Sequence, residues 1–163
     1  GDLGRIFGEL ILGLEPSNRN LEIETPLSYE LGKLTIPPNL YIIGTMNSLD
    51  RSIAIVDYAL RRRFIFYPMM PDSEILENWL NFASNNIDQD DGIKILNLFL
   101  NLNSKIKEDK KLGKNFQIGH TYFFIKNKEE LHEKWTYMIK PLLEEYLNFN
   151  EDDLADYKYE GVT

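Results

Sequence analysis

Apolar residues recur at three- and four-residue spacing through Leu3, Ile6, Phe7, Leu10, Ile11 and Leu14, with Asp2 placed as an N-cap, so the pattern predicts a helix from about Asp2 to Glu15. Pro16 to Asn20 breaks it, and Leu27 to Ile36 predicts a short hairpin turning at Gly32-Lys33. Leu40 to Ile43 is an uninterrupted apolar run, suited to a strand covered on both faces as in a parallel sheet. A polar loop follows, then a helix capped by Asp50 or Ser52, with Ile53, Val56, Ala59 and Leu60 inward and Arg61, Arg62 and Arg63 at its end. Phe64 to Tyr67 predicts a second buried strand, and Pro68 to Asp72 a hinge.

Beyond the hinge the period is helical. Ser73 to Phe82 predicts one helix, and Gly92 to about Glu108 another that is apolar nearly all round. A long helix starting near Lys128 sets Leu131, Trp135, Met138, Ile139, Leu142, Leu143, Tyr146 and Leu147 on one broad face, with Pro141 breaking it or starting a new first turn. The pattern thus divides the chain into an α/β part, residues 1–70, and a helical part, residues 71–163.

Composition narrows the function classes. With 43% hydrophobic residues in 163, one medium or two small cores can form. No apolar run approaches the ~20 residues of a membrane span. The absence of cysteine excludes disulfides and thiolate chemistry and fits a cytoplasmic protein. Two histidines, His120 and His132, make a dedicated zinc site implausible, and no metal ligand is assigned. The net charge of −8 is concentrated after residue 70, which opposes a general nucleic-acid surface. The basic run Lys105 to Lys114 also holds Glu108 and Asp109 and reads as a solvated helix end.

The loop after Ile43 carries the candidate chemistry. In open α/β sheets ligands lie beyond the carboxyl ends of strands, where this chain has Thr45, Met46, Asn47, Asp50 and Arg51. The Asn47 amide could orient a water or a phosphate oxygen, and Asp50 and Arg51 could pair with each other or with a neighbouring subunit. The same residues are ordinary turn and cap formers. Arginines at a helix C-terminus also answer its negative dipole end, although three in succession exceed that need.

Gly44-Thr-Met-Asn-Ser-Leu-Asp-Arg-Ser52 resembles the sensor 1 segment of the McrB family, the AAA+ GTPase subunits of modification-dependent restriction systems, whose usual form is Thr-Met-Asn-Thr-Ala-Asp-Arg-Ser. Ser48 and Leu49 depart from it. Arg5 to Leu10, Tyr58 to Phe64, Gln117 to Phe123 and Pro141 to Tyr146 resemble further family segments in the same order. The resemblance implies a partial AAA+ P-loop NTPase core, from just after the Walker B acid, followed by an α-helical lid. It implies catalytic roles for Asn47, Asp50, Arg62 and Arg63, the two arginines as fingers, and nucleotide contacts for Arg51 and for His120, which otherwise reads as a histidine satisfied within a lid turn.

GTP, or ATP, with Mg2+ is implied for the complete protein. Neither Gly32-Lys33 nor Gly113-Lys114 fits G-x-x-x-x-G-K-[ST], so no nucleotide is expected on this chain alone. A homo-oligomeric ring, an McrC-type endonuclease partner and DNA held by regions outside the chain are also implied. A MoxR-like or dynein-related ATPase and a non-enzymatic assembly module are the alternatives. In the implied sheet the P-loop strand lies between the strands at Leu40–Ile43 and Phe64–Tyr67. Without it the two segments must pair directly, borrow a strand or stay unpaired, and residues 72–148 are expected to form the well-packed part.

Overall fold

A computed structural model describes residues 8, 10–25, 28–47, 49, 58–81, 86–157 and 159. The chain divides into two units, Gly1–Pro68 and Met69–Thr163.

In the first unit, helix α1 (Leu10–Leu14) buries Ile11, Gly13 and Leu14. Of the helix expected from Asp2, residues 2–7 and 9 lie outside the described ones, and Gly8, at φ 44°, is a turn and not helical. Gly13 permits a close approach, since a Cβ there would lie 2.7 Å from Cδ1 of Ile36, which is itself buried. Strand β1 (Glu22–Ile23) pairs antiparallel with β2 (Leu34–Thr35), Glu22 opposite Thr35 and Ile23 opposite Leu34. Between them runs a one-turn helix, α2 (Ser28–Leu31).

The hairpin expected over Leu27 to Ile36 is therefore corrected. Thr25 N–H donates to the Ser28 hydroxyl and Ser28 N–H donates back to the Thr25 carbonyl, which starts a helical turn where a strand was expected. Gly32, at φ 80°, closes that turn by donating its N–H to Ser28 O.

Two further expectations fail in this unit. Leu40–Ile43 and Phe64–Tyr67 form no strand, and the two-stranded sheet β1–β2 is the only one among the described residues. Tyr41, Ile43 and Ile65 are 86%, 95% and 97% exposed. A strand exists only through its ladder, and among the described residues no ladder includes either run. The helix expected after Ser52 is described only at its end, α3 (Tyr58–Arg61).

The second unit holds one continuous core built by three helical stretches and the turns between them. Helix α4 (Ser73–Leu80) begins on Asp72, whose side chain accepts from the N–H groups of Glu74 and Ile75, and it buries Leu76 and Leu80. Helix α5 (Gln89–Glu108) begins on Asp88, which accepts from Asp91 N–H. Its buried face is Ile95, Phe99, Leu102 and Ile106, while Ile93 and Leu100 stay exposed, so the helix expected to be apolar all round is one-sided. Turns of 3-10 form at Lys114–Phe116 and His120–Phe123.

The third stretch joins α6 (Lys128–Lys134), a π-helical segment (Trp135–Ile139) and α7 (Lys140–Tyr146). Its buried residues, Leu131, Trp135, Ile139, Leu143 and Leu147, recur strictly every fourth position. In a straight α-helix such a series drifts by about 40° per step, roughly 160° from first to last. The wider π turn, in which Lys140 N–H reaches back five residues to Trp135 O, takes up part of that drift. It also precedes Pro141, which has no N–H to give and crowds the carbonyl four residues back. Of the two outcomes expected at Pro141, the new first turn is the one found: it lies in the first turn of α7, directly after the π segment. Met138, expected on the buried face, is 48% exposed.

A short helix, α8 (Glu151–Leu154), carries the chain back to α5. Tyr157 is buried in the core and its hydroxyl donates to Asp109 at 2.8 Å. Lys111 pairs with Asp153, and Lys105 Nζ donates to Asp156 O. Two lysines of the run expected to be merely solvated thus hold the C-terminal segment in place.

Candidate functional site

Asn47 is exposed, and its Oδ1 accepts the N–H of Leu49 at 3.1 Å. The side chain fixes a local turn and keeps its amide N–H groups for another partner. Asp50 and Arg51 lie outside the described residues.

The three arginines differ. Arg61 stands over the Phe66 ring, 5.6 Å from its centre. Arg63 is largely buried and ion-paired with Glu15, the residue just after α1. Arg62 is exposed, with no ion-pair partner among the described residues, and its backbone N–H donates to Tyr58 O. One arginine is thus committed to a carboxylate and another to an aromatic face, while Arg62 stands exposed. No hydrogen bond or ion pair among the described residues joins Asn47 to these arginines.

His120 sits in the 3-10 turn of the second unit. Its Nδ1 accepts the backbone N–H of Asp72 at 3.1 Å, and its ring lies 5.6 Å from that of Phe124. Phe124 stacks on Trp79 of α4 at 4.5 Å, and the Trp79 indole N–H donates to Ile125 O. The His120 turn and α4 are therefore joined at both ends of the helix.

Two buried polar groups organise the same unit. Asn103, 5% exposed, accepts from Ile118 N–H at 2.7 Å and donates to Ile118 O at 3.0 Å, so one side chain completes both backbone groups of a buried residue. Asp91 pairs with Lys128 at 2.7 Å and with Lys94 at 3.7 Å. The Lys128 hydrogen bond outweighs burial and holds the Asp91 carboxyl below its usual range, while Asp91 in turn raises Lys128. These ties were not anticipated from sequence. The available signal was a lone polar residue within an apolar helical stripe, as Asn103 stands between Phe99 and Ile106.

The described residues contain no group of three or more His, Asp or Glu side chains able to hold a metal ion. No described helix is long and apolar enough to cross a membrane.

The fold of the second unit defines a class. Residues 94–155 match the family model described as McrB, alpha-helical lid domain. Over 170 aligned residues the chain is 37% identical to the Type IV methyl-directed restriction enzyme EcoKMcrB subunit of Escherichia coli (strain K12), an alignment that covers 97% of this chain and 36% of that relative. The chain belongs to the McrB family.

Proposed function

We propose that this chain supplies the sensor 1, arginine-finger and lid elements of an AAA+ nucleotide-hydrolysing subunit in a McrBC-type restriction system. The carrying observation is the 37% identity to a restriction subunit over nearly the whole chain. The complete subunit would use GTP, or ATP, with Mg2+ held by residues outside those described. It would act as a homo-oligomeric ring in the cytoplasm with an McrC-type endonuclease and reach DNA through other regions.

On this reading Asn47 turns its amide toward the attacking water, and Arg62, the exposed cation, neutralises charge on the phosphate of a neighbouring subunit. Arg63, tied to Glu15, holds α1 against the end of α3 and so aims its neighbour. Asp50 and Arg51 would stabilise the subunit boundary, and His120 would face nucleotide or the next subunit from the lid.

The test uses the complete protein. Arg62→Ala should lower turnover by roughly 10³ while nucleotide affinity stays within a few-fold, since a finger acts mainly in the transition state. Asn47→Ala should follow the same split. Arg62→Ala subunits mixed with subunits unable to bind nucleotide should regain part of the activity, because the finger acts across a boundary. Turnover unchanged in Arg62→Ala would reject the reading.

A further inference from the structure

The one hydrogen bond that fixes the chemistry of His120 comes from the backbone. A peptide N–H can only donate, so the Nδ1 atom facing Asp72 N–H at 3.1 Å must present its lone pair. The ring proton then resides on Nε2. The side chain of Asp72 is separately occupied, accepting from Glu74 N–H at 2.8 Å and Ile75 N–H at 3.3 Å. Asp72 thus serves the start of α4 with its carboxylate and sets the His120 tautomer with its amide.

The other side of the turn is fixed by Asn103. Its amide closes two hydrogen bonds on the backbone of Ile118, which is 1% exposed, two residues before His120. Gln117 Nε2 donates to the Asn103 carbonyl at 3.4 Å and extends the same contact. A backbone clamped at 118 and a ring pinned through Nδ1 leave the imidazole little freedom, and Phe124 stands beside it.

We infer that Asn103 and Asp72 are positioning residues that hold His120 as an Nε2–H donor for an acceptor oxygen of bound nucleotide. The inference rests on the nucleotide-facing role of His120 proposed above. It assigns the donor atom, the ligand chemistry it serves, a phosphate oxygen, and the two residues that set it. A donor fixed in advance requires no reorientation when the acceptor arrives. It also makes α4, the first helix of the second unit, responsive to what His120 binds, because the same ring holds the Asp72 amide.

The first experiment is nitrogen NMR of the imidazole in the whole 163-residue chain, which distinguishes the two tautomers directly. The unsubstituted chain should show His120 as Nε2–H, and an Nδ1–H form or an even mixture would overturn the inference without recourse to any variant. Asn103→Ala should mix the tautomers and speed exchange of the Asp72 amide by about 2- to 10-fold, the range set by one net hydrogen bond. A folded Asn103→Ala chain with both signals unchanged would remove Asn103 from the assignment.

The second experiment measures nucleotide turnover in the complete protein. His120→Gln can present an N–H near the position of Nε2, so it should retain more activity than His120→Ala, with the difference appearing in kcat/KM. Equal activities of the two variants, both well below the unsubstituted protein, would overturn the donor role. A fixed Nε2–H tautomer together with undiminished turnover in His120→Ala would instead reject the nucleotide-facing role and leave the positioning by Asn103 and Asp72 standing.

Discussion

Ending the chain after Ala155, where the matched lid model ends, should remove much of the stability of the second unit. The cut deletes Tyr157, 8% exposed in the core, together with its hydrogen bond to Asp109. It also deletes the Asp156 carbonyl that accepts from Lys105, and Tyr159, whose ring lies 5.0 Å from Trp135. Loss of a buried aromatic side chain costs about 3–5 kcal/mol. The hydroxyl bond to a carboxylate adds about 1 kcal/mol here, below the ~1.5–3 kcal/mol of buried charged partners because Asp109 is half-exposed. The Lys105 contact is exposed and contributes little, and Tyr159, packed against the core, only adds to the loss. A total of about 4–6 kcal/mol is a large share of the ~5–15 kcal/mol that holds a domain.

The assay is urea unfolding followed by tryptophan fluorescence, because both tryptophans, Trp79 and Trp135, lie in the second unit and report on it alone. With a urea dependence of ~1.5 kcal/mol per molar, the midpoint should fall by about 3 M, or the chain should be unfolded from the start. Tyr157→Phe keeps the ring and should lose only about 0.7 M on the same scale.

Alkaline pH separates the two contributions further. Burial, reinforced by the bond to Asp109, raises the Tyr157 hydroxyl above its ordinary value. A raised folded value means a contribution that is full below the unfolded pKa of ~10 and lost as pH rises beyond it. The midpoint should therefore drop above pH ~10, and less steeply in Tyr157→Phe. Tyr146, pushed up to about 12 by burial, retains a residual slope. A truncated chain whose midpoint stays within about 0.5 M of the intact one would refute the reasoning, since even the hydroxyl bond alone predicts more.

Two further outcomes follow from the second unit. Asp91, depressed by Lys128, contributes stability above the unfolded carboxyl pKa of ~3.9 that is lost as pH falls through its lower folded value. Asp91→Asn should therefore lower the midpoint at pH 7 and flatten its acid limb, and an unchanged acid limb in urea titrations would show the pair to be idle. In the π segment, deleting the exposed Tyr137 should leave a folded chain, because the buried series then steps 4-3-4-4, closer to α-helical spacing. Inserting an alanine there should rotate Ile139 and everything after it away from the core and unfold the unit, and equal losses in thermal melts would show that the π turn does not set the register.

Local chemistry determined much of the second unit from sequence alone. The helices starting at Ser73 and Lys128 and the one ending at Glu108 were legible because their caps and apolar stripes are neighbours in the chain, so no distant partner is needed to form them. The family was legible in the ordered segments around Asn47, Arg62 and His120, and the 37% identity agrees with it. Tertiary structure decided the rest. Leu40–Ile43 and Phe64–Tyr67 have strand composition, but a strand is completed by a neighbour that composition cannot name, and Leu40 to Ile43 and Ile65 to Tyr67 stand exposed. The three arginines are alike in sequence, and only the fold pairs Arg63 with Glu15, sets Arg61 on Phe66 and leaves Arg62 open. Likewise Asn103 and Tyr157 read as unremarkable polar and aromatic residues until burial removes water from them, after which each must find its partner within the protein.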